Sequence, residues 1–120
     1  MEVSQFTSDV IKTAETFKWI KRITTAPEGK VVRIRLCINE SFVNIYYNAV
    51  TGTTSYAYIE SNKRIFGANN MKIGWHWHPY NSVQRHVPGK PITIAEFLKA
   101  LEKELKKRSK IYSHSEKFMQ

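Results

Sequence analysis

The chain has one cysteine in 120 residues, Cys37, which excludes an internal disulfide and a cysteine-built zinc ribbon and fits a reducing compartment. Acidic residues are scarce as well: ten Asp plus Glu stand against nineteen Lys plus Arg, for a formal net charge of +9. No stretch reaches the roughly 18 consecutive apolar residues that a membrane-spanning helix needs. The opening residues Met1-Glu2-Val3-Ser4-Gln5 have neither the basic nor the apolar block of a secretion signal. The expected setting is therefore cytoplasmic, with no membrane partner.

What is present suits one globular domain. With 42% hydrophobic residues, a chain of this length buries about two thirds of its unfolded surface. A single domain is expected over residues 1–108, followed by a loosely held tail, Ser109 to Gln120. The basic excess draws an anionic partner, whether nucleic acid, an acidic protein or a membrane surface. Lysine richness alone also gives a solubilising surface.

Periodicity divides the chain. Ser8 or Thr7 is placed to cap a helix running to about Arg22, with Phe6, Val10, Ala14, Phe17 and Ile20 on one stripe. Phe17 to Ile23 also partly alternates, so residues 17–23 read as helix or strand before a turn at Ala26-Pro27-Glu28-Gly29. From there the period is two. Val32, Ile34, Leu36 and Ile38 alternate with Arg33, Arg35 and Cys37, and Val43, Ile45 and Tyr47 alternate with Asn44, Tyr46 and Asn48. Ser55 to Ser61 sets Ala57 and Ile59 opposite Tyr56 and Tyr58. Arg64 to Gly67 follows, then a turn at Ala68-Asn69-Asn70 and a last strand from about Met71 to His78. The expected fold is α+β: an antiparallel meander of about five strands packed by a C-terminal helix, with an N-terminal helix before it. The C-terminal helix starts at the capping box Thr93-Ile94-Ala95-Glu96 and carries Ile94, Phe97, Leu98, Leu101 and Leu105 on one stripe.

The richest segment is Gly74-Trp75-His76-Trp77-His78-Pro79-Tyr80, followed by Arg85-His86. Strand alternation sends Trp75 and Trp77 toward the helix and His76 and His78 to the opposite, wet face. That face is expected to collect Arg33, Arg35, Tyr46, Asn48, Tyr56 and Tyr58 too, a cationic and aromatic surface on which RNA bases stack and phosphates pair. Half-exposed sheets also carry such residues for β-propensity alone. The histidines admit three roles. They are hydrogen-bonded strand members, or an acid and base for RNA cleavage with Tyr80 and Arg85 steadying the phosphate. As metal ligands they would need a third group from His86, His114 or Glu60. Nearby arginine and lysine charge opposes a cation, so neither a metal nor another cofactor is expected.

The run Phe66-Gly67-Ala68-Asn69-Asn70, then His76-Trp77-His78-Pro79-Tyr80, then the capped helix with Phe97-Leu98 and Leu101, resembles the TumE family of bacterial and archaeal toxins over roughly residues 31 to 107. The resemblance implies a toxin of a toxin-antitoxin pair that acts on RNA or translation and is neutralised by an antitoxin protein. It gives His76, His78 and Asn69 the functional role. The leading expectation is a metal-independent ribonuclease with His76 and His78 as catalytic residues. Arg33, Arg35, Tyr46, Tyr56, Tyr58, Asn69, Tyr80, Arg85 and His86 would hold the substrate. A non-catalytic module binding nucleic acid or protein through the same face, and a His-x-His metal-binding protein, are the alternatives. Exposed strand edges also leave room for a homodimer.

Overall fold

A computed structural model of the chain describes residues 1–111. The elements are α1 (Val3–Ala14), β1 (Arg22–Glu28), β2 (Val31–Cys37), β3 (Phe42–Asn48), β4 (Thr54–Glu60), β5 (Lys63–Asn69), β6 (His76–His78), β7 (Val87–Pro88) and α2 (Ile94–Lys107). The seven strands form one antiparallel sheet in chain order. This is the expected α+β meander with a helix at each end, built on more strands than the five expected.

The differences have local causes. α1 stops at Ala14, and neither Thr7 nor Ser8 caps it: Glu2 is the N-cap without a side-chain bond, while the Thr7 hydroxyl donates to the Val3 carbonyl. Residues from Arg22 are strand, and β1 runs straight through Ala26-Pro27-Glu28, where a turn was expected. Pro27 fits because β1 is an edge strand, where the ladder tolerates a missing donor. β5 likewise runs through Ala68 and Asn69 instead of turning there. β6 begins only at His76, because Lys72 and Gly74 take φ of 61° and 85° and break the extended run from Met71. Ser61 and Asn62, both at positive φ, close the β4–β5 hairpin in the two-residue manner that matches strand twist.

Both helices cover the same face of the sheet. α1 lays Phe6 flat on Tyr47 of β3, with ring centroids 4.2 Å apart. α2 places Phe97 among Tyr56, Phe66 and Trp77, at centroid distances of 5.2, 5.3 and 6.1 Å. Its capping box forms as read from the sequence, with both Thr93 and Glu96 side chains bonded. Val32, Ile34, Leu36, Val43 and Ile45 are buried beneath the helices. The Trp19 indole N–H donates to the Glu102 carboxylate at 2.8 Å and ties the segment after α1 to α2.

Pairing corrects the phase of β4. Val43 faces Tyr58 and Ile45 faces Tyr56 across the β3–β4 ladder, so both tyrosines join the core rather than the open face. Ala57 and Ile59 take the open side instead. The start of the expected loose tail is fastened: the Lys110 amide bonds to the Leu105 carbonyl, its ammonium lies 3.6 Å from Glu60, and Ile111 packs against the core. The rest of that expected tail, including His114, lies outside the described residues.

Candidate functional site

Side chains directly opposite one another in a sheet share a face, so the pairings can be followed as rows across the open side. One row reads Ala26, Arg33, Tyr46, Ser55, Asn69, His76. The next reads Thr24, Arg35, Asn44, Ala57, Gly67, His78. Each begins with a small residue on the edge, passes an arginine in β2, crosses β4 on a small residue, Ser55 or Ala57, and reaches a histidine in β6. Strand spacing of about 4.8 Å puts the arginines roughly 19 Å from the histidines.

The arginine end is a groove of about 620 Å³, lined by residues that include Arg33, Arg35, Arg64, Tyr46, Asn44 and Ser55, with no carboxylate among them. Arg35 lies 4.0 Å above the Phe42 ring and donates to the Asn44 amide oxygen at 3.2 Å. Arg33 lies 5.3 Å from the centre of the Tyr46 ring. These contacts hold the guanidinium planes against aromatic surface while leaving both arginines exposed.

Arg64 was not singled out from sequence. A bulge shifts the β4–β5 register between Tyr58 and Ile59, pairing Ile59 with Arg64 and carrying Arg64 to the open face. Its side chain then runs over Gly67. A Cβ on Gly67 would come within 2.9 Å of the Tyr56 carbonyl oxygen and 3.9 Å of the Arg64 side chain, so glycine keeps this part of the floor clear. Arg64 thereby links the groove to the histidines, and its charge is one of those acting on His78.

The histidine end differs from the expected wet face. His76 and His78 point to the open side, but they are 3% and 7% exposed because the segment after β6 folds back over them. The His76 Nδ1 lies 2.8 Å from the Gly74 carbonyl oxygen and the His78 Nδ1 lies 2.6 Å from the Val83 carbonyl oxygen. The two Nε2 atoms face each other at 3.1 Å. The Asn69 amide nitrogen approaches the His78 Nε2 at 3.3 Å, while its oxygen accepts from the Met71 amide at 2.9 Å, which sets the orientation of the group. Exposed His86 joins them, its ring centroid 5.0 Å from His76 and 4.7 Å from His78. Burial pushes the His78 pKa below its ordinary value, and the charges of His76, His86 and Arg64 add to this against the opposing bond to Val83.

Other expected site residues lie elsewhere. Tyr56 and Tyr58 are in the core, their hydroxyls donating to the Ile92 carbonyl and the Glu60 carboxylate. Tyr80 packs against Tyr58 and Phe66 beneath Arg108, on the helix side of the sheet, so it cannot steady a phosphate at the histidines. Arg85 is exposed beside His86 in the loop. At 3.1 Å the two imidazole nitrogens touch, which leaves no space for a phosphate between them. The division of acid and base roles across a scissile bond therefore does not fit this pair. Among the described residues, no helix is long and apolar enough to cross a membrane. No protein-family model, curated protein or solved structure matches the chain.

Proposed function

We propose that this protein binds single-stranded RNA across the open face of its sheet and cleaves the strand at the histidine centre. The observation that carries this reading is the pair of registered rows, which lead from Arg33 and Arg35 over a floor of Ser55, Ala57 and Gly67 to His76 and His78. Single strands suit such a surface because guanidinium groups neutralise phosphates while exposed aromatic rings stack with bases. Of the four expected tyrosines, Tyr46 alone lies on this face, and Phe42 beneath Arg35 adds a second ring there. The toxin class that the sequence resembles supports the same substrate. An oxygen nucleophile, either the strand's own 2′-hydroxyl or water, attacks phosphorus and gives its proton to solvent water; the P–O5′ bond breaks and the departing oxygen takes a proton from solvent.

The test combines binding and cleavage of a labelled, unstructured oligoribonucleotide by the full chain. Binding should weaken in Arg33→Ala/Arg35→Ala, and cleavage should be lost in His86→Ala, whose exposed side chain can be removed without opening the core. Binding that ignores the arginine pair defeats the RNA reading, and tight binding without any product reduces it to a non-catalytic module.

A further inference from the structure

We infer that His76, His78 and His86 form a transition-metal site of the zinc class, with its fourth position open to solvent. A carbonyl oxygen only accepts, so the Nδ1 atoms that contact Gly74 and Val83 must carry hydrogen. In the neutral rings each Nε2 then carries a lone pair and no hydrogen, with the Asn69 amide nitrogen 3.3 Å from that of His78 as a long, weak donor. Two lone pairs facing at 3.1 Å repel unless an electrophile lies between or just in front of them.

The third ligand is in place. One ring nitrogen from each of His76, His78 and His86 falls within 4.8 Å of the others. Tetrahedral coordination at zinc–nitrogen distances of about 2.0–2.1 Å puts ligand nitrogens roughly 3.3 Å apart, so the strand pair is already close to spacing and the loop histidine closes by a small movement. His-x-His on a strand supplies two ligands aimed the same way, and the return of the chain after β6 supplies the third. Two of the imidazoles donate their other N–H to backbone carbonyls. That outer bond fixes the tautomer and ring orientation of a metal-binding histidine.

The donor set also narrows the ion. Among the described residues the donor set is three imidazoles without a carboxylate, which favours zinc, copper, nickel or cobalt over magnesium or calcium. Arginine and lysine charge nearby was the ground for expecting no metal, yet the three ring nitrogens converge on one place. Burial of two ligands with exposure of the third puts the ion at the mouth of the site, where a water or an anionic oxygen can complete its shell. The inference stands apart from RNA binding, which the arginine groove would carry with or without a metal.

The test is titration of the full chain, freed of metal by chelator and dialysed, with zinc chloride by calorimetry and with cobalt(II) by visible absorption. One zinc per chain is expected, with cobalt bands of a four- or five-coordinate ion and a rise in melting temperature. His86→Ala, folded by circular dichroism, should bind more weakly by more than the roughly 10–100-fold that loss of an outer bond costs. Zinc should move the ¹⁵N resonances of the His76 and His78 Nε2 atoms. No saturable binding at one ion per chain, or binding by His86→Ala equal to that of the parent, overturns the site and leaves the imidazoles sharing a proton. RNA binding measured in chelator reports the arginine face alone, so failure of one proposal is distinguishable from failure of the other.

Discussion

Removal of Arg33 and Arg35 should flatten the salt dependence of RNA binding far more than it lowers the charge of the molecule. Each phosphate neutralised on a single strand contributes about 0.7 to the slope of log affinity against log salt. If Arg33, Arg35 and Arg64 each meet one phosphate, the slope is about −2.1, and Arg33→Ala/Arg35→Ala leaves about −0.7. Between about 50 and 200 mM salt the parent should then lose roughly 20-fold in affinity and the variant roughly threefold. Lys99→Ala/Lys103→Ala is the matched comparison. It removes the same two charges from the net +9, but from exposed positions on α2, across the sheet from the groove. Fluorescence anisotropy with a labelled oligoribonucleotide, in chelator, over a salt series reads all three proteins. If the lysine pair lowers the slope as much as the arginine pair does, RNA is held by overall charge and not by the registered rows.

Three further perturbations probe the scaffold of the site. Tyr56→Phe removes the donor to the buried Ile92 carbonyl and should cost about 1–3 kcal/mol in urea unfolding; an unchanged midpoint would show that the carbonyl finds another donor. Gly67→Ala sets a methyl against the Tyr56 carbonyl oxygen, which should cost about 1–3 kcal/mol and displace β5 against β4, with matching shifts in the resonances of His78, which pairs with Gly67. The Glu96 carboxyl is held below its usual pKa by the Thr93 amide and then by the Thr93 hydroxyl. A depressed folded-state pKa stabilises the helix above the unfolded value and ceases to do so as pH falls through the folded one. Glu96→Gln, which keeps a capping side chain, should therefore lose less stability than the parent on acidification from about pH 6 to about pH 3. Equal losses would remove Glu96 from the acid response.

The parts of this fold legible in the sequence are those where one residue class occupies one face. Val32, Ile34 and Leu36 against Arg33 and Arg35 gave β2 and both its faces directly, and the Thr93 capping box located α2 to the residue. β4 was harder. Tyr56 and Tyr58 alternate with Ala57 and Ile59, so both faces look apolar, and only the ladder to Val43 and Ile45 decides which is buried. β1 is legible only as the strand alternative within residues 17–23, and its true extent is not, because an exposed edge strand of Thr24, Thr25, Ala26 and Pro27 shows no alternation. At the histidines the orientation was readable and the burial was not. Alternation aims His76 and His78 together, whereas their enclosure depends on Val83 and His86 returning across them, a contact without a local signature. Arg64 reached the open face through a bulge, which no periodic reading anticipates.

The proline in β1 bears on how copies of this chain meet. β7, at the opposite margin of the sheet, is only two residues long and ends in Pro88. Unpaired edges are templates for an incoming strand, and proline and shortness are two ways of spoiling them. At the β7 margin a docking strand finds almost no ladder to extend, and at β1 the regular run is interrupted at Pro27. Growth of the sheet from molecule to molecule is thereby discouraged at both margins, a protection against ordered aggregation that leaves the open face of the sheet free for other contacts.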